Sequence, residues 1–234
     1  MADAQPQRIL FFDTGPVISL VMSRLMWLIP ELKKQYGGKF YITPAVRLEL
    51  VERPLSVKRF EFEALQVLKL INDGVLEVYD KVPKASASKL INLANSSFKI
   101  DGKNMDIMQS GEIESVACAL DIGAEAVVMD ERTLRLFIEN SSQMKSLLER
   151  RFKSEVTVNN DNLKLFSQLL KSINIIRSIE LVAVAFKLGL LDQYAPPEKD
   201  GESTLLDSVL WATKFNGCAV TDDEIDEAEK FLLK

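Results

Sequence analysis

Short unbroken apolar runs alternate with longer runs of helical period along the first 160 residues. The clearest apolar runs are 9–12 and 126–129, and an aspartate follows each of them. Such runs are typical of strands that are buried on both faces of a parallel sheet. Apolar residues spaced three or four apart predict helices between them. The pattern therefore indicates strands that alternate with helices.

Weaker signals extend this pattern. Pro16 opens a helical run over 17–29, Thr43 with Pro44 starts another helix, and a long helix after Pro54 stops near Gly74. Residues 84–110 are polar, which indicates a helix and a loop. Further strands are predicted at 40–43, 75–79 and 155–158, and further helices at 110–123, 161–172, 178–188, 203–215 and 222–233.

Alternating strands and helices define an α/β fold with helices on both faces of a parallel sheet. We expect a three-layer α/β/α sandwich with a mainly parallel sheet of about five strands, followed by C-terminal helices. Residues 1–160 form the predicted core, with a helical insertion at about 54–108. Residues 161–234 form a predicted helical extension on the same domain.

The composition is that of a globular protein: of 234 residues, 47% are hydrophobic and 27% are charged. The start, MADAQPQR, has no apolar core for a signal peptide, and the apolar stretch 17–29 is too short to span a bilayer. Only Cys118 and Cys218 occur, which argues against a disulfide framework. We expect a cytoplasmic protein without a membrane segment.

The chain contains no histidine, which excludes Ser-His-Asp and Cys-His catalysis and histidine-ligated zinc. Its net charge of −5 argues mildly against a surface coated with positive charge for nucleic acid. A local basic groove stays compatible with that charge, because binding responds to the local field. Catalysis must therefore use carboxylates, Lys, Tyr, Ser or Thr, or a metal with oxygen ligands.

Acidic residues are placed where a parallel sheet forms its sites, outside the carboxyl ends of the strands. Asp13 follows the first buried strand and Asp130 the fourth. Glu112 and Glu114 lie in the first turn of the helix that leads into that fourth strand, and Glu49 lies on the helix after the second. Carboxylates that converge need a compensating cation, and hard oxygen ligands select Mg²⁺ or Mn²⁺.

These segments resemble the PIN-domain superfamily, which includes the VapC-type toxins. The resemblance lies in FFDTGPVI at 11–18, TPAVRLEL at 43–50, and SGEIESVACALDIGAEAVVMDERTLRLF at 110–137. The tail LLDSVLWATKFNGCAVTDDEIDEA at 205–228 resembles a PIN-like group whose third acidic motif is Gly-Glu-x-Glu-Ala, here with Ser115 in place of alanine. The likeness covers most of the chain and is weakest over 54–108.

The resemblance implies strand order 3-2-1-4-5 and metal-dependent cleavage of single-stranded RNA. It assigns catalysis and metal binding to Asp13, Glu49, Glu112 and Asp130, and flap-nuclease relatives make Glu114 a further metal ligand. Both a toxin-like and an RNA-processing role stay open. The implied partners are RNA, a second copy of the chain, and an antitoxin or other protein.

Each of these residues also has a plainer structural explanation. Asp13 can cap a helix, Glu112 can favour the helix macrodipole, and Glu49 can be an exposed residue beside arginines. Four further residues are candidate phosphate contacts, with capping or an exposed helix face as the alternative: Thr14, Ser110, Arg132 and Arg135.

The C-terminal segment repeats the spacing of an acid, a helix and an acid. Asp207 and Asp222 are assigned to structure, because Thr221 and Glu224 fit a capping box that opens the last helix.

Two rival functions stay open. One is a catalytically silent PIN-like module that binds protein or nucleic acid. The other is a DNA or flap-type nuclease, indicated only by the Glu112-x-Glu114 pair.

Overall fold

A computed structural model describes residues 8–139 and 141–234, with the side chains of residues 132, 135, 138, 139 and 141 left outside the description. The prediction that no signal peptide is present rests on residues that lie mostly outside this range. In the described part of the chain, no helix is both long and apolar enough to cross a membrane.

The centre of the fold is a sheet of five parallel strands: β1 (Ile9–Phe12), β2 (Lys39–Ile42), β3 (Glu77–Val78), β6 (Ala126–Val128) and β8 (Asn174–Ile176). Their order in the sheet is β3-β2-β1-β6-β8. The predicted α/β class and the parallel sheet are thereby confirmed. Counted within this sheet alone, the order is the expected 3-2-1-4-5.

Helices cover both faces of the sheet. They are α1 (Thr14–Met22), α2 (Leu28–Tyr36), α3 (Pro44–Arg47), α4 (Arg53–Leu55), α5 (Glu61–Asn72), α6 (Lys84–Ser96), α7 (Ser110–Ile122), α8 (Arg132–Glu139), α9 (Ser141–Phe152), α10 (Asn160–Leu170), α11 (Ser178–Lys187), α12 (Gly201–Phe215) and α13 (Asp222–Leu232). A π-helical turn, Leu48–Glu52, joins α3 to α4, and a 3-10 turn, Asp192–Tyr194, precedes α12.

Alternate residues of the central strands enter two separate cores. Phe11 and Val127 point to one face, where helices α6 to α10 pack. Phe12, Ile42 and Val128 point to the other face, where α1, α2, α5 and α11 pack. Burial on both faces explains why β1 and β6 are unbroken apolar runs, and it produces the three-layer sandwich.

The segment 155–158 was predicted as the fifth strand of the central sheet, and this prediction was wrong. Residues Val156–Val158 form β7, which pairs antiparallel with β4 (Phe98–Ile100). A turn at Asp101 and Gly102, both at positive φ, joins β4 to β5 (Lys103–Asn104). The fifth central strand is β8, which lies in the short gap between the helices predicted at 161–172 and 178–188, where no strand was predicted.

The predicted helix over 17–29 is also interrupted. Helix α1 ends at Met22, and Arg24 has a φ of 60°, which reverses the chain before α2 begins. Other predicted boundaries are confirmed. Thr43 caps α3 by accepting a hydrogen bond from the amide of Val46 at 3.3 Å. Both cysteines are free and buried, as expected.

Candidate acidic site

A cavity of about 400 Å³ lies at the carboxyl edge of the central sheet. The end of β1 is tied to the end of β6 there, because the amide of Asp13 donates to the carbonyl of Val128 at 2.9 Å. Five acidic residues line the cavity: Asp13, Glu49, Glu112, Asp130 and Glu131. The structure therefore brings together the four acids that were predicted as catalytic.

Asp13 is held in the wall of this cavity by the turn from β1 into α1. It is the N-terminal capping residue of α1 by backbone geometry, and the residue is only 8% exposed. Burial, helped by the nearby carboxylates of Glu49 and Asp130, raises the pKa of its carboxyl group to about 6, although hydrogen bonds from the amides of Thr14 and Gly15 oppose the rise. A cation in the cavity would remove this penalty.

Glu112 enters the cavity from the N-terminus of α7. Its Oε2 accepts a hydrogen bond from the amide of Gln109 at 3.2 Å, so Glu112 also helps to cap the start of α7. It also faces the other acids. Burial, together with the negative charges of Glu131, Asp13 and Glu49, raises its pKa to about 7. Helix capping and a place in the acidic cavity thus coincide.

Glu49 reaches the cavity from the π-helical turn after α3. The Thr14 hydroxyl donates to its Oε2 at 2.7 Å, which fixes the carboxylate beside α1. The guanidinium of Arg53 lies 4.0 Å from its Oε1, at the edge of the site. Thr14 was predicted as a phosphate contact, with helix capping as the alternative; the capping residue is Asp13, and the hydroxyl of Thr14 orients Glu49.

Asp130 is the most firmly held of the acids. Its Oδ2 accepts hydrogen bonds from the hydroxyls of Ser19 and Ser178, both at 2.7 Å. Its Oδ1 accepts one from the amide of Ser178, also at 2.7 Å. The side chain is buried, and it joins α1 to the first turn of α11. Its orientation is therefore fixed before any ligand binds.

Several residues of the site were missed by the sequence reasoning. Ser19 and Ser178 look like ordinary helix residues, and no sequence signal marks them as partners of Asp130. Glu131 was not among the predicted site residues, yet it lines the cavity and accepts a hydrogen bond from the amide of Leu134. Gly217 lines the cavity at a φ of 129°. A side chain there would also crowd the hydroxyl of Ser19 at 3.2 Å.

Other predicted site residues lie elsewhere. Glu114 is not in the cavity wall; its Oε1 lies 3.4 Å from the amide of Ala45, at the N-terminus of α3. Ser110 is exposed, and the capping position before α7 belongs to Gln109. The side chains of two candidate phosphate contacts lie outside the described residues, namely Arg132 and Arg135.

The C-terminal acids have structural roles, as predicted. Asp222 forms an ion pair with Lys214. Thr221 and Glu224 form the expected capping box, with the Thr221 amide donating to the Glu224 carboxylate at 2.8 Å. Burial and then the neighbouring carboxylate of Asp207 raise the pKa of Glu229, so Asp207 on α12 lies beside Glu229 on α13.

The oxygen atoms that line the cavity are of the type that binds a hard divalent cation. The described side chains that line the cavity offer carboxylate oxygens and no lysine or arginine. However, in the described part of the chain no group of three or more acidic or Cys side chains stands close enough to hold a metal as it is. Mg²⁺ is commonly bound by one or two carboxylates, with waters and substrate phosphates completing its shell. The open cavity suits that mode rather than a closed protein cage.

Comparisons of the chain with protein-family models, with curated proteins and with solved structures found no match. The PIN-like resemblance therefore stays a prediction from the sequence. The class that the fold and the cavity define is an α/β protein with an acidic site at the carboxyl edge of a parallel sheet.

Proposed function

We propose that this chain is a PIN-type, Mg²⁺- or Mn²⁺-dependent endoribonuclease that cleaves single-stranded RNA. The observation that carries the proposal is that Asp13, Glu49, Glu112 and Asp130, from four separate segments, line one cavity. Burial, and then repulsion between the acids, keep the pKa values of Asp13 and Glu112 high. An acidic pocket of this kind is stabilised by a bound cation.

The residues of the cavity have distinct roles in this proposal. A divalent ion supplies Lewis acidity that activates water and offsets the charge of the phosphodiester. Asp13 and Glu112 are the acids that bind it, because ionisation is costly for both without a cation. Glu49, oriented by Thr14, and Asp130, fixed by two serines, complete the set with little freedom to lose on binding. Such preorganisation favours catalysis.

The proposal is tested by incubating the purified chain with single-stranded RNA. We expect cleavage with Mn²⁺ or Mg²⁺, none with EDTA, and much slower cleavage of duplex RNA and of flap DNA. Efficient cutting of flap DNA with intact RNA would replace the proposal by the flap-nuclease alternative. Cleavage that continues in EDTA would refute metal dependence.

A catalytically silent module is the second candidate, and one observation favours it. Asp130 already accepts three hydrogen bonds from the protein, so its carboxylate is satisfied without a metal. Such a module would bind RNA or a protein without cutting it. Metal binding separates it from the nuclease.

We expect Mn²⁺ to stabilise the folded chain more at pH 8 than at pH 5. Protons compete with the ion for Asp13 and Glu112, whose pKa values lie at about 6 and about 7. At a concentration one hundred times its dissociation constant, the ion adds about 2.7 kcal/mol, or roughly 5–10 °C in melting temperature. Thermal melts should show at least half of this shift disappear at pH 5. A shift that is equal at both pH values, or a complete lack of shift, would favour the silent module.

A further inference from the structure

One wall of the acidic cavity comes from the C-terminal part of the chain. Residues 216–221, which we call the wall segment, join α12 to α13. Gly217 and Ala219 line the cavity, whereas Cys218 and Val220 are buried in the apolar core between α11, α12 and α13. The cavity is therefore built partly by residues that lie far beyond the four predicted acids in the sequence.

Asp130 contacts the wall segment through its backbone and α11 through its side chain. The amide of Ala219 donates to the backbone carbonyl of Asp130 at 3.4 Å. The amide and the hydroxyl of Ser178, the first residue of α11, hold the carboxylate at 2.7 Å. The position of Asp130 thus depends on how the wall segment and the start of α11 are placed relative to each other.

Arg177 joins these two segments to α13. Its Nη2 lies 2.5 Å from the carboxylate of Glu180 in the first turn of α11, and its Nη1 lies 2.9 Å from that of Glu224 in the first turn of α13. Nη1 also donates to the carbonyl of Ala219 in the wall segment at 3.4 Å. The Arg177 side chain is only 12% exposed. A single guanidinium therefore connects α11, α13 and the wall segment.

The chain contains a second cation that joins α11 to α13 without contact to the wall segment. The ammonium group of Lys187, the last residue of α11, donates to the carbonyl of Leu232 at the end of α13. Lys187 lies about 15 Å along the helix axis from Arg177. If Arg177 only joined two helices, the loss of either cation would have the same effect on the cavity.

We propose that Arg177 is a positioning residue of the acidic site, which holds the wall segment and the first turn of α11 so that Asp130 keeps its orientation. Arg177 itself does not line the cavity. The proposal rests on the proposed function only in taking the cavity to be the place where a divalent ion binds.

The charge of Arg177 and its positioning role have opposite effects on metal binding. A positive charge near the cavity repels a divalent ion, so removal of the charge alone would strengthen Mn²⁺ binding. Removal of the contacts frees Asp130, which must then be ordered when the ion binds, so Mn²⁺ binding would weaken. The sign of the change therefore distinguishes the two roles.

Hydrogen exchange in EDTA, measured by mass spectrometry, tests the positioning without any metal. In the wall segment, the amides of Ala219 and Thr221 are bonded to Asp130 and Glu224. With the contacts of Arg177 lost, these amides should exchange at least about ten-fold faster in Arg177→Met, and within about two-fold of the parent in Lys187→Met. Rates are compared with those of the β1 amides, which report global unfolding. Equal rates in the two variants would overturn the proposal.

Titration calorimetry with Mn²⁺ at pH 8 tests the consequence for the site. Binding should weaken about ten-fold in Arg177→Met, and it should stay within about two-fold of the parent in Lys187→Met. Arg177→Lys keeps the charge but replaces the planar fork of donors by one compact ammonium group, so it should weaken binding about three-fold. Unchanged or stronger binding in Arg177→Met would overturn the proposal. If that variant does not fold, parent-like exchange and Mn²⁺ affinity in Arg177→Lys would overturn it instead.

The two measurements separate this proposal from the proposed function. A parent that binds no Mn²⁺ and cuts no RNA refutes the nuclease, while faster exchange of the wall segment in Arg177→Met still supports the positioning of Asp130. A parent that binds Mn²⁺ and cuts RNA, with Arg177 variants that exchange and bind as it does, keeps the nuclease and overturns the role of Arg177.

Discussion

Asp13→Asn should reduce metal-dependent RNA cleavage at least about one hundred-fold and should at the same time make the metal-free protein more stable. The activity falls because the neutral amide of asparagine would bind the cation more weakly than a carboxylate does. That cation would offset charge in the transition state, and this stabilisation contributes several kcal/mol. Initial rates of cleavage with saturating Mn²⁺ measure it. The same substitution at Asp121, exposed at the other end of α7, is the matched control and should keep the parent rate.

The gain in stability follows from the raised pKa of Asp13. Its carboxyl titrates near 6 in the folded chain, above the ordinary value of 3.8. The folded state thus binds a proton more tightly than the unfolded state. Ionised Asp13 therefore lowers the free energy of unfolding, and this cost reaches its full size above pH 6. This cost is about 3 kcal/mol at pH 7.5, about half of that at pH 5, and nearly gone at pH 4.

Because asparagine is neutral at every pH, the variant removes that cost. Urea unfolding in EDTA should therefore show Asp13→Asn more stable than the parent by up to about 3 kcal/mol at pH 7.5, with the difference shrinking as the pH falls. A variant that is less stable than the parent at pH 7.5 would mean that the Asp13 carboxylate is a structural acceptor. Full cleavage activity in the variant would remove Asp13 from the proposed mechanism.

The central sheet was predictable where its strands are buried on both faces. β1 and β6 are unbroken apolar runs, and the placement of Asp13 and Asp130 follows from the carboxyl ends of those strands. The fifth strand was not predictable in the same way, because Asn174–Ile176 is a three-residue strand with a polar first position, between two helices.

The wrong choice of fifth strand has a physical explanation. In the run 155–158, buried Val156 is followed by exposed Thr157. Alternation of this kind is typical of an antiparallel strand with one solvated face, whereas the inner strands β1 and β6 of the parallel sheet are apolar throughout. The pattern was therefore a signal for the small second sheet, where Val156–Val158 pairs with β4.

In the acidic site too, features set by residues close together in the sequence were predictable, and contacts between residues far apart in the sequence were not. Glu112 and Glu114 are two residues apart on a helix, so their side chains point about 200° apart, and only one can face a given cavity. This geometry was available from the sequence and favours the observed separation. The two serines that hold Asp130 were not accessible, because they come from helices 111 and 48 residues away in the chain.

Asp130→Ala should cause the largest loss of stability of any single substitution in the site. Three hydrogen bonds to a buried carboxylate disappear, and the hydroxyls of Ser19 and Ser178 and the Ser178 amide are left inside the protein without their acceptor. Each bond to a charged acceptor contributes about 1.5–3 kcal/mol. With part of this offset by entering water, we expect a loss of about 3–5 kcal/mol and a melting temperature roughly 10–15 °C lower.

A double-mutant cycle with Ser178→Ala tests whether these bonds cause the loss. Once Asp130 is alanine, removing the Ser178 hydroxyl should cost little, so the two changes should fall short of additivity by at least about 1 kcal/mol. Strict additivity, or a loss below about 1 kcal/mol for Asp130→Ala, would contradict the carboxylate's role as the link between α1 and α11. Because that link also orients Asp130 toward the cavity, Ser178→Ala should slow RNA cleavage even at temperatures at which the variant is fully folded. A serine with a merely structural role would lower the stability and leave the cleavage rate of the folded protein unchanged.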